Sequence, residues 1–345
     1  MKAVIINEYG GREVLQYTDI DTPKPGPKDA LVKVGATATN WFDVMARKGD
    51  YKPFKTFPHV LGGDVAGEVA EVGSEVTHLK VGDRVVLFAT VVEDKQDEFW
   101  LAGDTNRAVK RMYYGAHLWG GYAQYMNAYA ENWLAIGDKT SFEDSAAFSM
   151  TYLTAWHQVV ARGGLRPGED VLVHSAGSGV SVAAIQIAKL TGCRVITTSS
   201  TEEKCKRALE LGADAAVNYR EQDVVKEVKA LTNNRGVDLV VDNIGEDTWD
   251  ASVRCLVRGG RITTCGGTSG YNVPMNIAHV FHKELSIIGS NYGLIKEANT
   301  LNKLLDQGMF EVALDRVLPL KDAAEGHRVL EDRENFGKVV LKPEF

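Results

Sequence analysis

From about residue 155 to residue 290 the chain alternates short apolar runs with segments of helical spacing, and this alternation constrains the fold more than any other feature. Val171-Leu-Val173 is an apolar run, followed by glycines and then by Val180 to Leu190, which has helical length and spacing. Arg194 to Thr198 reads as the next strand, and Ser200-Thr-Glu-Glu203 reads as a capping box opening a helix that stops at Gly212. Val217 closes a third strand, and Val224, Val228 and Leu231 mark one helix face. Val237 to Val241, Arg261 to Cys265 and Leu285 to Gly289 supply three more strands, with a helix from Thr248 to Val257. Six strands alternating with helices predict an α/β unit whose parallel sheet is covered on both faces. Right-handed crossovers make it doubly wound.

The flanking sequence has a different grammar. Residues 1 to about 150 are short strands such as Ala30 to Val34, Val65 to Val72 and Arg84 to Val92, broken by Pro23-Lys-Pro-Gly-Pro27 and Gly82-Asp83. That pattern predicts a compact β-rich domain. After Gly293 come a helix carrying Leu301, Leu304 and Leu305, a second near Ala323 to Leu330, and a strand from Gly337 to Leu341. The last strand has no place in the six-stranded sheet and is assigned to the β-rich domain, which becomes discontinuous. The expected division is 1–154, 155–290 and 291–345, with the third segment returning to the first.

With 345 residues and 44% hydrophobic content, two domains can each bury a core without staples. The 39 basic and 46 acidic residues leave a net charge of −7, which argues against a nucleic-acid partner. The longest uncharged apolar stretch near a strand end, Val85 to Val92, is far short of the ~20 residues that span a bilayer. Asn7 and Glu8 interrupt the start too early for a signal peptide, so a cytoplasmic location is expected. Cys193, Cys205, Cys255 and Cys265 form no Cys-x-x-Cys pair and are expected to be buried reduced thiols.

The segment Val171 to Ser181 joins a strand to a helix through Ala176-Gly-Ser-Gly-Val180. Glycines there admit a pyrophosphate close to the backbone, and the helix N-terminus supplies amides and partial positive charge. Ala176, Gly177, Ser178, Gly179 and Val180 are therefore the expected dinucleotide turn. Ser181 stands where a further glycine packs helix on strand, and a small side chain can replace it. An acidic residue at the end of the second strand would repel a 2′-phosphate. Here the sequence is Thr198-Ser199-Ser200-Thr201, with Lys204 one turn on. Hydroxyls and a cation favour NADPH over NADH. The same serines also suit a plain helix cap, and both roles can coexist. Tyr219 at the end of the third strand, with Asn243 and Gly266 after the fourth and fifth, completes the expected cofactor rim.

Several segments, taken in order, resemble the medium-chain dehydrogenase/reductase superfamily. They are Ala38-Thr-Asn-Trp-Phe-Asp43, Leu61-Gly-Gly-Asp-Val-Ala-Gly-Glu-Val69, Val81-Gly-Asp-Arg-Val85, Trp119-Gly-Gly-Tyr-Ala-Gln-Tyr125, Thr151-Tyr-Leu-Thr-Ala-Trp156, Leu211-Gly-Ala-Asp214 and Phe336-Gly-Lys-Val-Val340. The resemblance runs end to end. It implies a GroES-like catalytic domain, a Rossmann domain between its two parts, and a cofactor cleft. Zinc enzymes of this family place metal ligands where this chain has Asn40, Gly63 and Met150; Asp64 remains but cannot hold zinc alone. The segment between Val91 and His117, where the family carries a structural zinc, has no Cys. His59, His78 and His117 are not clustered in sequence. No zinc is therefore expected.

Without a metal, hydride addition to an activated alkene or a quinone is the expected chemistry, because neutral donors can stabilise the developing oxyanion. Asn40 and Thr154 are the candidate donors, in segments that the resemblance places beside the nicotinamide. Tyr51 is a candidate pocket tyrosine, by likeness to quinone reductases. Asn40 also suits a turn cap and Tyr51 a rim aromatic, while Asp43 is read as an orienting group. Arg107, Lys110 and Arg111 in the segment 93–111 could grip a coenzyme A phosphate or simply face solvent. Alcohol dehydrogenation and non-enzymatic NADPH binding are the alternatives. The expected partner is a small-molecule substrate. Because Leu285 to Gly289 should lie at a sheet edge, a homodimer or homotetramer is expected.

Overall fold

The computed structural model describes residues 1–50, 52–54 and 56–345. Tyr51 lies outside the described residues. The chain forms two compact units, Thr151–Gly293 and Met1–Met150 with Leu294–Phe345.

The continuous unit contains the six-stranded sheet. Its strands in chain order are Asp170–Val173, Arg194–Ser199, Ala215–Asn218, Val237–Val241, Leu256–Thr264 and Ser286–Gly289. In space they run third, second, first, fourth, fifth, sixth, and every pairing is parallel. The order reverses between the first and fourth strands. In open α/β sheets a ligand crevice forms beyond the carboxyl ends at such a switch point. Leu172, Ile196, Val217, Val240 and Ile262 from five successive strands share one core with Val228 and Val253 from the covering helices. Among the described residues, Ser286–Gly289 pairs with the fifth strand alone and stands at the sheet edge.

Two local readings change. The helix Glu202–Glu210 is capped by Thr201, whose Oγ1 accepts the Lys204 N–H, and not by Ser200. With Thr201 at the cap, Lys204 occupies the third helical position, so Glu203 cannot close a reciprocal box. The seventh helix of the chain is Trp249–Cys255, shorter than Thr248 to Val257, because the fifth strand begins at Leu256. Leu256 pairs with Val237, and an irregularity then brings Arg261 opposite Leu239, so residues 257–260 are extra length on one strand. Gly212 does follow the helix end in a left-handed conformation, φ 104°.

The discontinuous unit is built around Asp29–Ala38. This strand pairs antiparallel with Asp64–Val72, with Tyr125–Tyr129 and with Lys338–Lys342. The sheet continues through Arg84–Leu87 to Trp133–Ala135 on one side and through Lys338–Lys342 to Leu314–Pro319 on the other. The closing strand thus joins the first 150 residues, as its sequence predicts. A smaller sheet of Gln16–Asp19, Lys2–Ile6 and His59–Val60 shares a core with Tyr122, Leu320 and Leu341. Among the described residues, no helix is long and apolar enough to cross a membrane.

Candidate functional site

In the discontinuous unit, strand register builds a polar cluster. Ala38 lies opposite Asp64 on one neighbour and opposite Val340 on the other. Carrying the second register two residues further sets Lys338 against Asn40, and a Thr39 N–H to Val339 O bond of 2.9 Å locks it. Asp64 is fully buried and Lys338 is 5% exposed. The Lys338 ammonium donates to Asp64 Oδ2 at 2.9 Å, to Asn40 Oδ1 at 2.6 Å and to Thr39 O at 2.8 Å. An ammonium has three N–H donors, and all are satisfied. Asn40 Nδ2 donates to Asp64 Oδ2 at 2.8 Å, and the Met150 N–H donates to Asp64 Oδ1 at 2.8 Å. The Asn40 amide is therefore clamped at both ends. One of its two Nδ2 hydrogens is used by Asp64.

Asn40 also starts the helix Trp41–Lys48, as its turn-cap reading suggests. The cap bond uses its main chain: Asn40 N–H donates to Asp43 Oδ2 at 2.8 Å. The side chain is left to Asp64 and Lys338. Asp43 is buried, and its Oδ2 also accepts from the Tyr122 hydroxyl at 3.2 Å. Burial raises its carboxyl to about 7, against opposing help from the Asn40 N–H and the Lys338 charge. Tyr122 in turn contacts His327 Nε2 at 3.2 Å, and His327 Nδ1 lies 3.2 Å from Arg47 NH1. A guanidinium only donates, so Nδ1 accepts and Nε2 carries the proton. Burial first, and the Arg47 charge second, lower His327 to about 3. Arg47 closes the row on Glu331 at 2.8 Å. Asp43 thus holds the Asn40 main chain at the start of the helix. Nothing local in the sequence signals the link to His327, 284 residues beyond.

Asn40, Gly63 and Met150, the positions at which the family resemblance leads one to expect zinc ligands, carry no Cys or His here. A Cβ placed on Gly63 would lie 2.8 Å from Met150 Cε and 3.1 Å from Tyr114 O, so a larger side chain at 63 requires Met150 to move. An amide, a glycine, a thioether and a neighbouring ammonium do not form a zinc donor set. The three histidines have other partners. His59 stacks on Phe54 with ring centroids 3.9 Å apart, and burial lowers it to about 4. His78 Nε2 contacts Ala130 O at 3.1 Å, and His117 Nδ1 accepts the Tyr113 N–H. Among the described residues, no group of three or more His, Cys, Asp or Glu is arranged to hold a metal ion.

In the continuous unit, the expected cofactor residues gather at the carboxyl ends of the strands. Ser178 caps the helix Gly179–Leu190, accepting the Ser181 N–H at 3.2 Å. Helix geometry leaves the Gly179 and Val180 amides without intrahelical acceptors, which fits an anionic diphosphate. The Ala176 N–H is bonded to Thr198 O at 2.8 Å, so Ala176 shapes the turn next to Gly177 and does not offer its amide. Ser181 Oγ donates to His174 O at 2.7 Å, tying helix to strand as the missing glycine's replacement. Ser199 is buried, Ser200 and Lys204 are half-buried, and Tyr219 is exposed. The Tyr219 N–H donates to Ser199 O, which places these residues on adjacent strand ends. Glu202, unremarked in the sequence, accepts from Asn218 Nδ2 at 3.2 Å.

Asn243 exchanges side-chain bonds with Gln158 and accepts from Cys265 N–H at 2.9 Å, while Gly266 is exposed beside it. Thr154 lies on the helix Phe142–Trp156 and is 8% exposed. Cys193, Cys205 and Cys255 are buried free thiols, whereas Cys265 is only half-buried, a departure from expectation that follows from its place at a strand end. Beneath the turn, buried His174 contacts Thr198 and Ser252 hydroxyls, and Ser252 donates to Asp242 at 2.6 Å. Asp242 also accepts the Ile244 and Gly245 amides, so this row holds the fourth-strand loop in place.

Comparison with known proteins finds two family domains along the chain. Residues 26–138 match the alcohol dehydrogenase GroES-like domain family, and residues 179–307 match the zinc-binding dehydrogenase family. A quinone oxidoreductase of Salmonella typhimurium is 32% identical, with 98% of each chain covered. A crystal structure of an NAD-dependent alcohol dehydrogenase superposes with a TM-score of 0.95 at 44% identity, covering 99% of each chain. The Escherichia coli quinone oxidoreductase crystallised with NADPH gives a TM-score of 0.83 at 30% identity, covering 99% of this chain and all of that one. The GroES-like fold, the doubly wound parallel sheet and the end-to-end relatives together show that the chain belongs to the medium-chain dehydrogenase/reductase superfamily of oxidoreductases.

Proposed function

We propose that this protein is a zinc-independent, NADPH-dependent reductase of conjugated carbonyl compounds or quinones. The observation that carries the proposal is the Asn40 amide, clamped between Asp64 and Lys338 at a position where the family resemblance leads one to expect a metal ligand. The turn from Gly177 to Val180 would hold a dihydronicotinamide dinucleotide, which would supply a hydride for the substrate β-carbon as the alkene electron pair shifts toward the carbonyl oxygen. The protein's task is to meet that oxygen with preorganised donors. Asn40 offers its second Nδ2 hydrogen, and Thr154 its hydroxyl beside the nicotinamide. The α-carbon takes its proton from water, so no ionised side chain is required. Tyr51 is kept as a pocket aromatic.

The turn from Gly177 to Val180 suits the cofactor diphosphate. Ser199, Ser200, Lys204 and Tyr219 suit an adenosine 2′-phosphate, and Asn243 and Gly266 suit the nicotinamide end. NADPH in the Escherichia coli relative supports this choice. The 44% identical NAD-dependent alcohol dehydrogenase favours a second reading, NAD-linked alcohol oxidation. An enoyl-thioester stays within the substrate class, although the loop cations favour it less than their sequence suggests. Arg107 pairs with Asp104 at 3.2 Å, Arg111 donates to the Tyr113 hydroxyl and Ala108 O, and Glu93 and Asp94 line the same cleft as Lys110 and Arg111.

The edge strand and its neighbouring helix support a homodimer or homotetramer, with Ile277, Phe281 and Ile287 exposed at 64%, 60% and 43%. Light scattering that returns a monomer at micromolar concentration refutes the assembly. For the activity, the test is NADPH and NADH oxidation against cyclohex-2-enone, p-benzoquinone and crotonyl-CoA, with NAD(P)-linked ethanol oxidation as the competing assay and elemental analysis for zinc. Reduction without zinc is expected. Asn40→Ala should lower turnover about 10²–10³-fold at unchanged NADPH affinity. Wild-type turnover in Asn40→Ala with hydride transfer rate-limiting, or alcohol oxidation dependent on stoichiometric zinc, overturns the proposal.

A further inference from the structure

The Asn40 amide has two ends, and the structure treats them differently. Its nitrogen meets a carboxylate oxygen at 2.8 Å, while its oxygen meets an ammonium at 2.6 Å. The same ammonium reaches Asp64 Oδ2, so Asn40, Asp64 and Lys338 close a three-membered ring of hydrogen bonds. Two consequences follow from elementary chemistry. The amide cannot flip, because a reversed amide sets NH2 against the ammonium and oxygen against the carboxylate. The amide is also polarised, because a cation on its oxygen withdraws electron density and makes the remaining N–H a stronger donor. Lys338 itself has no N–H to spare: Thr39 O, Asn40 Oδ1 and Asp64 Oδ2 take all three.

We propose that Lys338 is a positioning residue for the reduction, whose ammonium orients and polarises the Asn40 amide so that its second Nδ2–H meets the developing oxyanion. This inference rests on the assignment of Asn40 as the oxyanion donor. The chain carries its own fixed cation one amide removed from the developing oxyanion. Because the charge acts through Asn40, its effect exists only when Asn40 is present.

A double-mutant cycle on NADPH-dependent reduction of cyclohex-2-enone tests this. Lys338→Met should lower kcat tenfold or more, with KM and NADPH affinity within twofold of wild type. In an Asn40→Ala background, Lys338→Met should change kcat less than twofold. Equal losses in both backgrounds overturn the role of Lys338 while leaving Asn40 intact as a donor. No loss in Asn40→Ala alone overturns the underlying assignment instead, so the two failures are distinct. Removing one partner exposes a buried carboxylate to isolation, so Lys338→Met is also made together with Asp64→Asn, which removes both charges. In that folded pair, whose residue 64 amide still accepts from Asn40, the tenfold loss should persist. Wild-type kcat in the pair overturns the proposal. Lys338→Arg, which keeps the charge, should recover more of kcat than Lys338→Met, and equal loss in the two variants counts as a structural role.

Discussion

The two units handle buried polarity in opposite ways. The continuous unit seats its candidate cofactor turn on main-chain groups and short hydroxyl side chains within a few residues, such as Ser178 on Ser181 and Ser181 on His174. The discontinuous unit seats its candidate donor with an ion pair joining residues 64 and 338, and both charges are buried. The first arrangement is assembled locally and loses little when one member is trimmed. The second exists only when strands from both ends of the chain meet, and a single loss leaves a charge without its counterion. Buried ion pairs add little net stability compared with apolar replacements, yet breaking one is costly. The difference therefore marks where this protein is robust and where it is brittle.

Four measurements test whether that contrast holds. The largest effect should come from Lys338→Met, which isolates Asp64 and should cost about 3–5 kcal/mol in denaturant unfolding. A loss below 1 kcal/mol dissolves the contrast. Next is Asp43, whose carboxyl titrates near 7 when folded against an ordinary 3.8. The folded chain holds this proton more tightly, so Asp43 lowers stability as pH rises from about 4 to about 7, with the full penalty above 7. The shift is worth about 2–4 kcal/mol. His327, held near 3, slopes the opposite way below its ordinary 6.5. The difference between wild type and Asp43→Asn therefore isolates the Asp43 part, and it should grow with pH through that window. A flat difference curve from pH 4 to 8 removes the assignment.

Smaller effects belong to the continuous unit. Lys204→Ala should weaken NADPH by about 1.5–3 kcal/mol and leave NADH nearly unchanged in fluorescence titration. Equal losses for both cofactors discard the 2′-phosphate contact. Ser178→Ala removes one helix cap and should cost about 1 kcal/mol of stability. A loss as large as that of Lys338→Met means the turn is no less brittle than the ion pair.

Legibility in the sequence follows the same divide. The six strands, the edge position of Ser286–Gly289 and the return of Lys338–Lys342 to the β-rich domain were readable because apolar periodicity records which face is buried. Asn40 was readable as a cap and as a family position. Its clamp was not, because Lys338 meets it through strand register across 298 residues, which no local pattern encodes. The sequence cue was the Phe336-Gly-Lys-Val-Val340 segment, whose lysine opens the closing strand directly before three apolar residues. Thr201 replaced Ser200 as the cap because both residues are competent, and one position of helix phase decides between them.

The interrupted layout of the β-rich unit has a consequence for how the polypeptide is made. Residues 151–293 emerge from the ribosome as a complete folding unit, whereas the first 150 residues wait for 294–345 before their central strand gains its last neighbours. During that interval Asp64 has no lysine, and burying it alone is unfavourable, so the early strands should stay open and exposed to solvent. At ~5–20 residues per second the wait for residue 338 lasts roughly 10–40 seconds after Met150 is added. The half of the molecule with the candidate donor is thus the last to close, although its synthesis begins first.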